Sequence, residues 1–156
     1  VAGSIHSNSE IMIRNVGINE TRAGIISVLN RMGASLEFSN KKDYSGEPAC
    51  DILVKSSNLK STNISGKEIP LLIDEIPIIA LAAVFAEGET LITDAEELRF
   101  KESDRISLTV NWMKAAGAKV EEFQDGMKIT GTNYLPGPFF IKINLDRTLS
   151  LCICPR

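Results

Sequence analysis

Histidine, cysteine and aromatic residues are scarce in this sequence. Among 156 residues there are one histidine, one tryptophan and three cysteines, and aromatic residues make up 6%. Cys50, Cys152 and Cys154 form neither an even disulfide framework nor paired metal-ligand spacings, so they read as reduced thiols. The aromatic residues are too few and scattered for a base-stacking platform, and a net charge of −3 leaves no electrostatic footprint for nucleic acid. No run approaches the ~18 apolar residues of a membrane span, and residues 1–20 lack the basic and apolar blocks of a signal peptide. A cytoplasmic protein with neither nucleic-acid nor membrane partners is expected. His6 lies in the polar Ser4 to Ser9 connection and reads as a solvated side chain rather than a general base.

What remains is an ordinary globular composition, with 44% hydrophobic and 24% charged residues, enough for one domain or a large piece of a bigger one. Residues 9–15 alternate as a half-buried strand, with Ile11 and Ile13 on one face and Met12 on the other. Apolar positions from Glu20 to Met32 follow helical spacing, and Gly33 stands where a glycine stops a helix. Ser35 to Phe38 and Asp51 to Lys55 read as strands around a polar, turn-rich loop from Asn40 to Pro48. From Ile76 to Ala86 nearly every residue is apolar or small, which predicts a helix buried on all sides, with Pro77 in its first turn and Asp74 as its cap. A strand follows over Glu89 to Thr93, then a helix over Asp104 to Ala116 and strands over Lys119 to Phe123 and Met127 to Thr130. Trp112 and Met113 sit at helix-interior spacing and read as packing.

The order of elements repeats. Residues 9–15 correspond to 88–94, and Met32-Gly33-Ala34-Ser35-Leu36 to Ala116-Gly117-Ala118-Lys119-Val120. The offset grows from 79 to 84, so five additional residues fall between strand and helix of the second copy, within Ala95 to Ser103. This connection contains most of Leu98-Arg99-Phe100-Lys101-Glu102-Ser103-Asp104-Arg105, five charged residues in eight. Ser103 or Asp104 can serve as an N-cap, which is a structural use of the charge. An insertion filled with charge favours a ligand-facing role instead. By the same register Asp146 opens a third buried helix. Val1 has neither an initiator Met nor a cap, and the apolar run stops at Arg156, so a piece of a longer domain is expected.

Asp74-Glu75-Ile76-Pro77 together with the charged octet resembles the EPSP synthase family of enolpyruvyl transferases, and Asn15 to Gly24 and Ala80 to Gly88 are also similar to it. The resemblance covers about residues 5–137. It implies an α/β (α+β) fold of βαβαββ-type repeats in an inside-out α/β barrel, here part of the second of two domains. It also implies transfer of the enolpyruvyl group of phosphoenolpyruvate to the 5-hydroxyl of shikimate 3-phosphate, in aromatic amino-acid biosynthesis, with no metal or organic cofactor. By resemblance Asp74 is the carboxylate beside the reacting hydroxyl and Lys101 a lysine shared by both substrates. Glu102 is then an acid–base group near the methylene carbon, and Arg105 an arginine on the carboxylate or phosphate of phosphoenolpyruvate. Arginine suits that task because its planar fork grips an oxyanion bidentately.

A structural use stands beside each assignment: surface ion pairs for Lys101, Glu102 and Arg105, a cap for Asp74. Ser103 and Asp104 are expected to be structural, Arg99 is assigned no contact, and Arg22 is expected in an ion pair. After Gly137 the family's Asp-His-Arg pattern is replaced by Asn144-Leu145-Asp146-Arg147, without its histidine, so residues 138–156 read as a divergent or truncated end and no role is carried there. The isolated chain is expected to be inactive. Two alternatives stay open: a UDP-N-acetylglucosamine enolpyruvyl transferase, which shares the repeats but lacks Lys-Glu-Ser-Asp-Arg, and a non-catalytic binding or scaffold domain of the same fold.

Overall fold

A computed structural model describes residues 1–132 apart from positions 20 and 22. The expectations for Arg22, Cys152, Cys154 and the helix opening at Asp146 therefore lie outside the described residues. After a short helix α1 (Ala2–Ile5) come β1 (Glu10–Gly17), α2 (Gly24–Arg31) and a hairpin of β2 (Ser35–Tyr44) and β3 (Glu47–Lys55). Next are β4 (Asn63–Ile64), a 3-10 turn at Gly66–Glu68, α3 (Ile69–Leu72) and α4 (Ile76–Val84). The last part runs β5 (Glu89–Ile92), a 3-10 helix over Glu96–Phe100, α5 (Arg105–Ala115), β6 (Lys119–Phe123) and β7 (Gly126–Thr130).

Strand, helix and hairpin thus occur twice, and each copy builds a sheet of the same order. β1-β3-β2 form one sheet; β5-β7-β6, extended by β4 pairing parallel to β5, form the other. With α3 and α4 taken together as one helical segment, the elements from β4 to β7 make one βαβαββ unit. Both helices stop the same way: Gly33 and Gly117 take φ of +84° and +83°. In each, the residue after the glycine reaches back five positions, Ala34 N–H to Leu29 O and Ala118 N–H to Met113 O. The glycine reaches back three, to Asn30 O and Lys114 O, which completes a Schellman stop.

α4 is the centre of the core. Ile76, Ile79, Ala80, Leu81, Ala82, Ala83 and Val84 are all buried, because a helix apolar on every side has no face to give to water. Each of its fully buried isoleucines contributes about 2 kcal/mol of transfer free energy. Val28, Leu29 and Met32 from the first copy and Ile106, Val110 and Met113 from the second pack into the same cluster, with Trp112 at its margin.

Four expectations are corrected. The polar stretch 40–48 is not a loop. It is the far end of the β2–β3 hairpin, closed by Ser45 and Gly46 at φ of +57° and +91°, the paired positive values of a two-residue I′ turn. β1 exists but is not half-buried: Ile11, Met12 and Ile13 are 42–47% exposed, because β3 is the central strand and Cys50, Ile52 and Val54 take the buried places. α2 starts at Gly24, not Glu20. The Asn19 carboxamide oxygen accepts from Thr21 N–H and Oγ1–H, a local turn that competes with helix. Gly24 lies so close to α3 that a Cβ there would stand 2.8 Å from the Leu72 side chain. Finally, Asp74 does not cap α4. The N-cap position is Glu75, and with both Ile73 and Glu75 in helical conformation the extended geometry that side-chain capping needs is absent.

Candidate functional site

The second copy's strand-to-helix connection runs from Thr93 to Asp104, twelve residues against six (18–23) in the first. Its path is fixed at three points. At the start, Asp94 turns the chain at φ +59° while its N–H donates to the Asp125 carboxylate (3.0 Å), and Ala95 N–H donates to Asp125 O (2.7 Å). In the middle Leu98 is buried and Arg99 fastens the 3-10 helix to the β6–β7 turn. At the end Asp104 caps α5, accepting from Ser107 N–H at 2.9 Å, as Ser-or-Asp capping predicted.

No contact is expected for Arg99 from the sequence; in the structure its segment is a 3-10 helix and the side chain turns inward. Nε donates to Gln124 O (2.6 Å), Nη2 donates to Phe123 O and pairs with Glu122 (3.0 Å), and Nη1 donates to Asp104 Oδ2 (2.8 Å) and Ser107 Oγ (3.2 Å). Burial opposes the Arg99 charge, but the Asp104 and Glu122 carboxylates outweigh it and the guanidinium pKa is raised. Burial likewise pushes Asp104 up, yet the Ser107 amide and Arg99 prevail and hold it below the usual range. The Ser107 hydroxyl, followed by Arg99, lowers Glu122. The clue to this network was available in sequence: an arginine next to a buried leucine must bring donors for which the fold has to find acceptors.

Past Phe100 the chain leaves the 3-10 helix with Lys101 extended. Lys101 Nζ pairs with Glu97 (3.1 Å), and Arg105 Nη1 reaches Asp74 Oδ1 at 2.6 Å across 31 residues of sequence. Arg105 Nη2 also stands 3.9 Å from Glu102. Of the four residues singled out in sequence, Asp74, Glu102 and Arg105 are brought together around one guanidinium, while Lys101 lies on the same segment but faces Glu97. Asp74 and Glu102 are 75% and 95% exposed, and Lys101 and Arg105 about 30%, so the cations are seated and the carboxylates are open to solvent. Beside Asp74 an open cleft of about 420 Å³ is lined by Thr21, Pro70, Leu71, Ile73 and Glu75. Chemically this is two seated cations for anionic groups next to two accessible carboxylates for proton transfer. Glu97, which balances Lys101, was not singled out in sequence.

Among the described residues no group of three or more His, Cys, Asp and Glu could hold a metal ion, and no helix is long and apolar enough to cross a membrane.

The family model for EPSP synthase (3-phosphoshikimate 1-carboxyvinyltransferase) matches residues 1–138. A 3-phosphoshikimate 1-carboxyvinyltransferase of Gloeothece citriformis is 54% identical over 137 residues, 88% of this chain and 31% of the relative. One of Bacillus pumilus is 53% identical over 153 residues, 98% of this chain and 36% of the relative, so that alignment runs past residue 138. A solved structure of EPSP synthase from Acinetobacter baumannii superposes with a TM-score of 0.79 at 41% identity, covering 83% of this chain and 29% of that one. The chain spans about a third of the length of the relatives it matches.

Proposed function

The chain belongs to the EPSP synthase family, and from that premise we propose that it forms one wall of a site that transfers the enolpyruvyl group of phosphoenolpyruvate to the 5-hydroxyl of shikimate 3-phosphate. The observation that carries the reading is the convergence of Asp74, Glu102 and Arg105 on one side of α5, adjoining an open cleft.

In this reading Arg105 binds the carboxylate or phosphate of phosphoenolpyruvate and Lys101 binds anionic oxygens shared between the two substrates. When an anion takes Arg105, the Asp74 carboxylate is released to accept the proton of the attacking hydroxyl. The hydroxyl oxygen bonds to the substituted carbon of the enol, and the methylene carbon gains a proton from the acid form of Glu102, giving a tetrahedral intermediate. Loss of a proton from the new methyl group and of phosphate restores the double bond in the product. Each step needs only acid–base groups and cations, the chemistry these four side chains carry.

The test supplies the other two-thirds of the length. Residues 1–138 replace the matching segment of the Gloeothece citriformis relative, and phosphate release is followed with both substrates present. The expected result is turnover that drops at least about 100-fold in Lys101→Ala and Arg105→Ala. The 156-residue chain alone is expected to give no turnover. Turnover unchanged by either substitution would leave a scaffold domain as the better reading.

A further inference from the structure

We propose that Arg99 is a positioning residue for the substrate-facing segment, the group that holds Lys101, Glu102 and Arg105 in place without touching substrate. This rests on the reading of that segment given above. Lys101 to Ser103 belong to no helix or strand, so a separate device must fix their geometry. The other anchors each hold one point, and the Lys101–Glu97 ion pair ties Lys101 only back to the 3-10 helix itself. Leu98 is buried but fixes only the 3-10 helix before the segment, and the Asp104 cap fixes only the helix after it. Phe100, which lies between Arg99 and Lys101, is 77% exposed and packs against little.

Arg99 joins both sides at once. Through Nη1 it takes Asp104 and Ser107 at the start of α5, and through Nε and Nη2 it takes the carbonyls of Gln124 and Phe123 and the Glu122 carboxylate on the β6–β7 hairpin. Residues 100–103 are therefore a short span between two points clipped to one guanidinium. Only a planar fork with donors on three nitrogens serves five acceptors in this geometry; an ammonium serves two or three. Arg31 offers a matched comparison. It too has a multidentate network, to Thr62, Asn63 O and Glu68, but it ties α2 to the β4 connection and not to the charged segment.

The experiment has two arms. In the full 156-residue chain, 15N relaxation reads the backbone order of Lys101 and Glu102. Arg99→Ala is expected to lower their order parameters from about 0.85 to below about 0.6, with Arg31→Ala leaving them unchanged and added guanidinium restoring them in Arg99→Ala. Arg99→Lys keeps the charge and tests the fork, with an intermediate loss expected. In the chimera, Arg99→Ala is expected to cut kcat about 100-fold while KM for each substrate moves less than about threefold, again with partial rescue by guanidinium. Unchanged order at 101–102, equal loss in Arg31→Ala, or lost order with unchanged kcat would each overturn the proposal. A wild-type chimera without turnover would count against enolpyruvyl transfer, and the order parameters alone would then decide whether Arg99 positions the segment.

Discussion

The two copies of the strand, helix and hairpin share their sheet order and their helix stops, and they differ in where their additional residues lie. The first copy lengthens its hairpin: β2 and β3 run to ten and nine residues, against five each for β6 and β7. The second lengthens its strand-to-helix connection. The hairpin extension points into solvent, with every residue from Ser39 to Glu47 exposed; its turn is held by Gly46 N–H donating to Asp43, and the Asn19 carboxamide donates to Glu47. The connection in the second copy is instead stitched back to the hairpin below it by Asp125, Arg99 and Asp104. An addition can present a fixed geometry only when the fold supplies enough polar partners to hold it still.

Glycines in the two hairpins, one in a turn and one opening a strand, give the largest test of that contrast. A Cβ on Gly126, at the short hairpin of the second copy, would stand 1.9 Å from the Ile92 carbonyl oxygen, backbone against backbone. A Cβ on Gly46, at the long hairpin tip, meets nothing within 4 Å and incurs only the strain of φ +91°. Gly126→Ala is expected to cost about 3 kcal/mol or more in urea unfolding, and Gly46→Ala about 1 kcal/mol. Equal costs would show that the second hairpin is not wedged against β5.

Acid gives a smaller effect. Asp104 and Glu122 both titrate below their ordinary values in the folded chain. Near pH 6 they are ionised in both states and add no slope. As pH falls toward about 4 the unfolded chain takes up protons first, so stability declines, and the contribution is gone once the folded carboxylates also protonate. Melting temperature followed from pH 6 to 3 is expected to fall less steeply in Glu122→Gln than in the parent chain; parallel curves would remove Glu122 from the clamp.

Much of this frame was legible in sequence. The 79-to-84 offset located the lengthened connection, and the apolar run beginning at Ile76 announced its burial. Asp74 and Arg105, singled out by resemblance, pair at 2.6 Å, a contact that the sequence does not specify. What escaped did so for three different reasons. The hairpin beyond Asn40 is polar because both of its faces meet water, so alternation carries no signal there. Buried Leu98 hinted that the Arg99 donors need acceptors, but three of the five, the Phe123 and Gln124 carbonyls and the Glu122 carboxylate, lie on the distant β6–β7 hairpin, and a tertiary acceptor leaves no trace in local spacing. Asp74 read as a cap because capping chemistry and site chemistry use the same side chain.

Ile11, Met12 and Ile13 stand exposed in succession on β1, at one edge of its sheet among the described strands. Unpaired edge groups beside an apolar run form a template on which a second chain can add a strand, the route by which soluble proteins become fibrous. Glu10 and Arg14 flank the run with opposite charges, which complement rather than repel a second copy added antiparallel. Light scattering is therefore expected to rise with concentration and to be suppressed by Met12→Lys; scattering unchanged in that variant would place the self-association elsewhere. The Met12→Lys comparison thus separates a five-residue surface strip from the stability of the core as the determinant of colloidal behaviour in purification and storage.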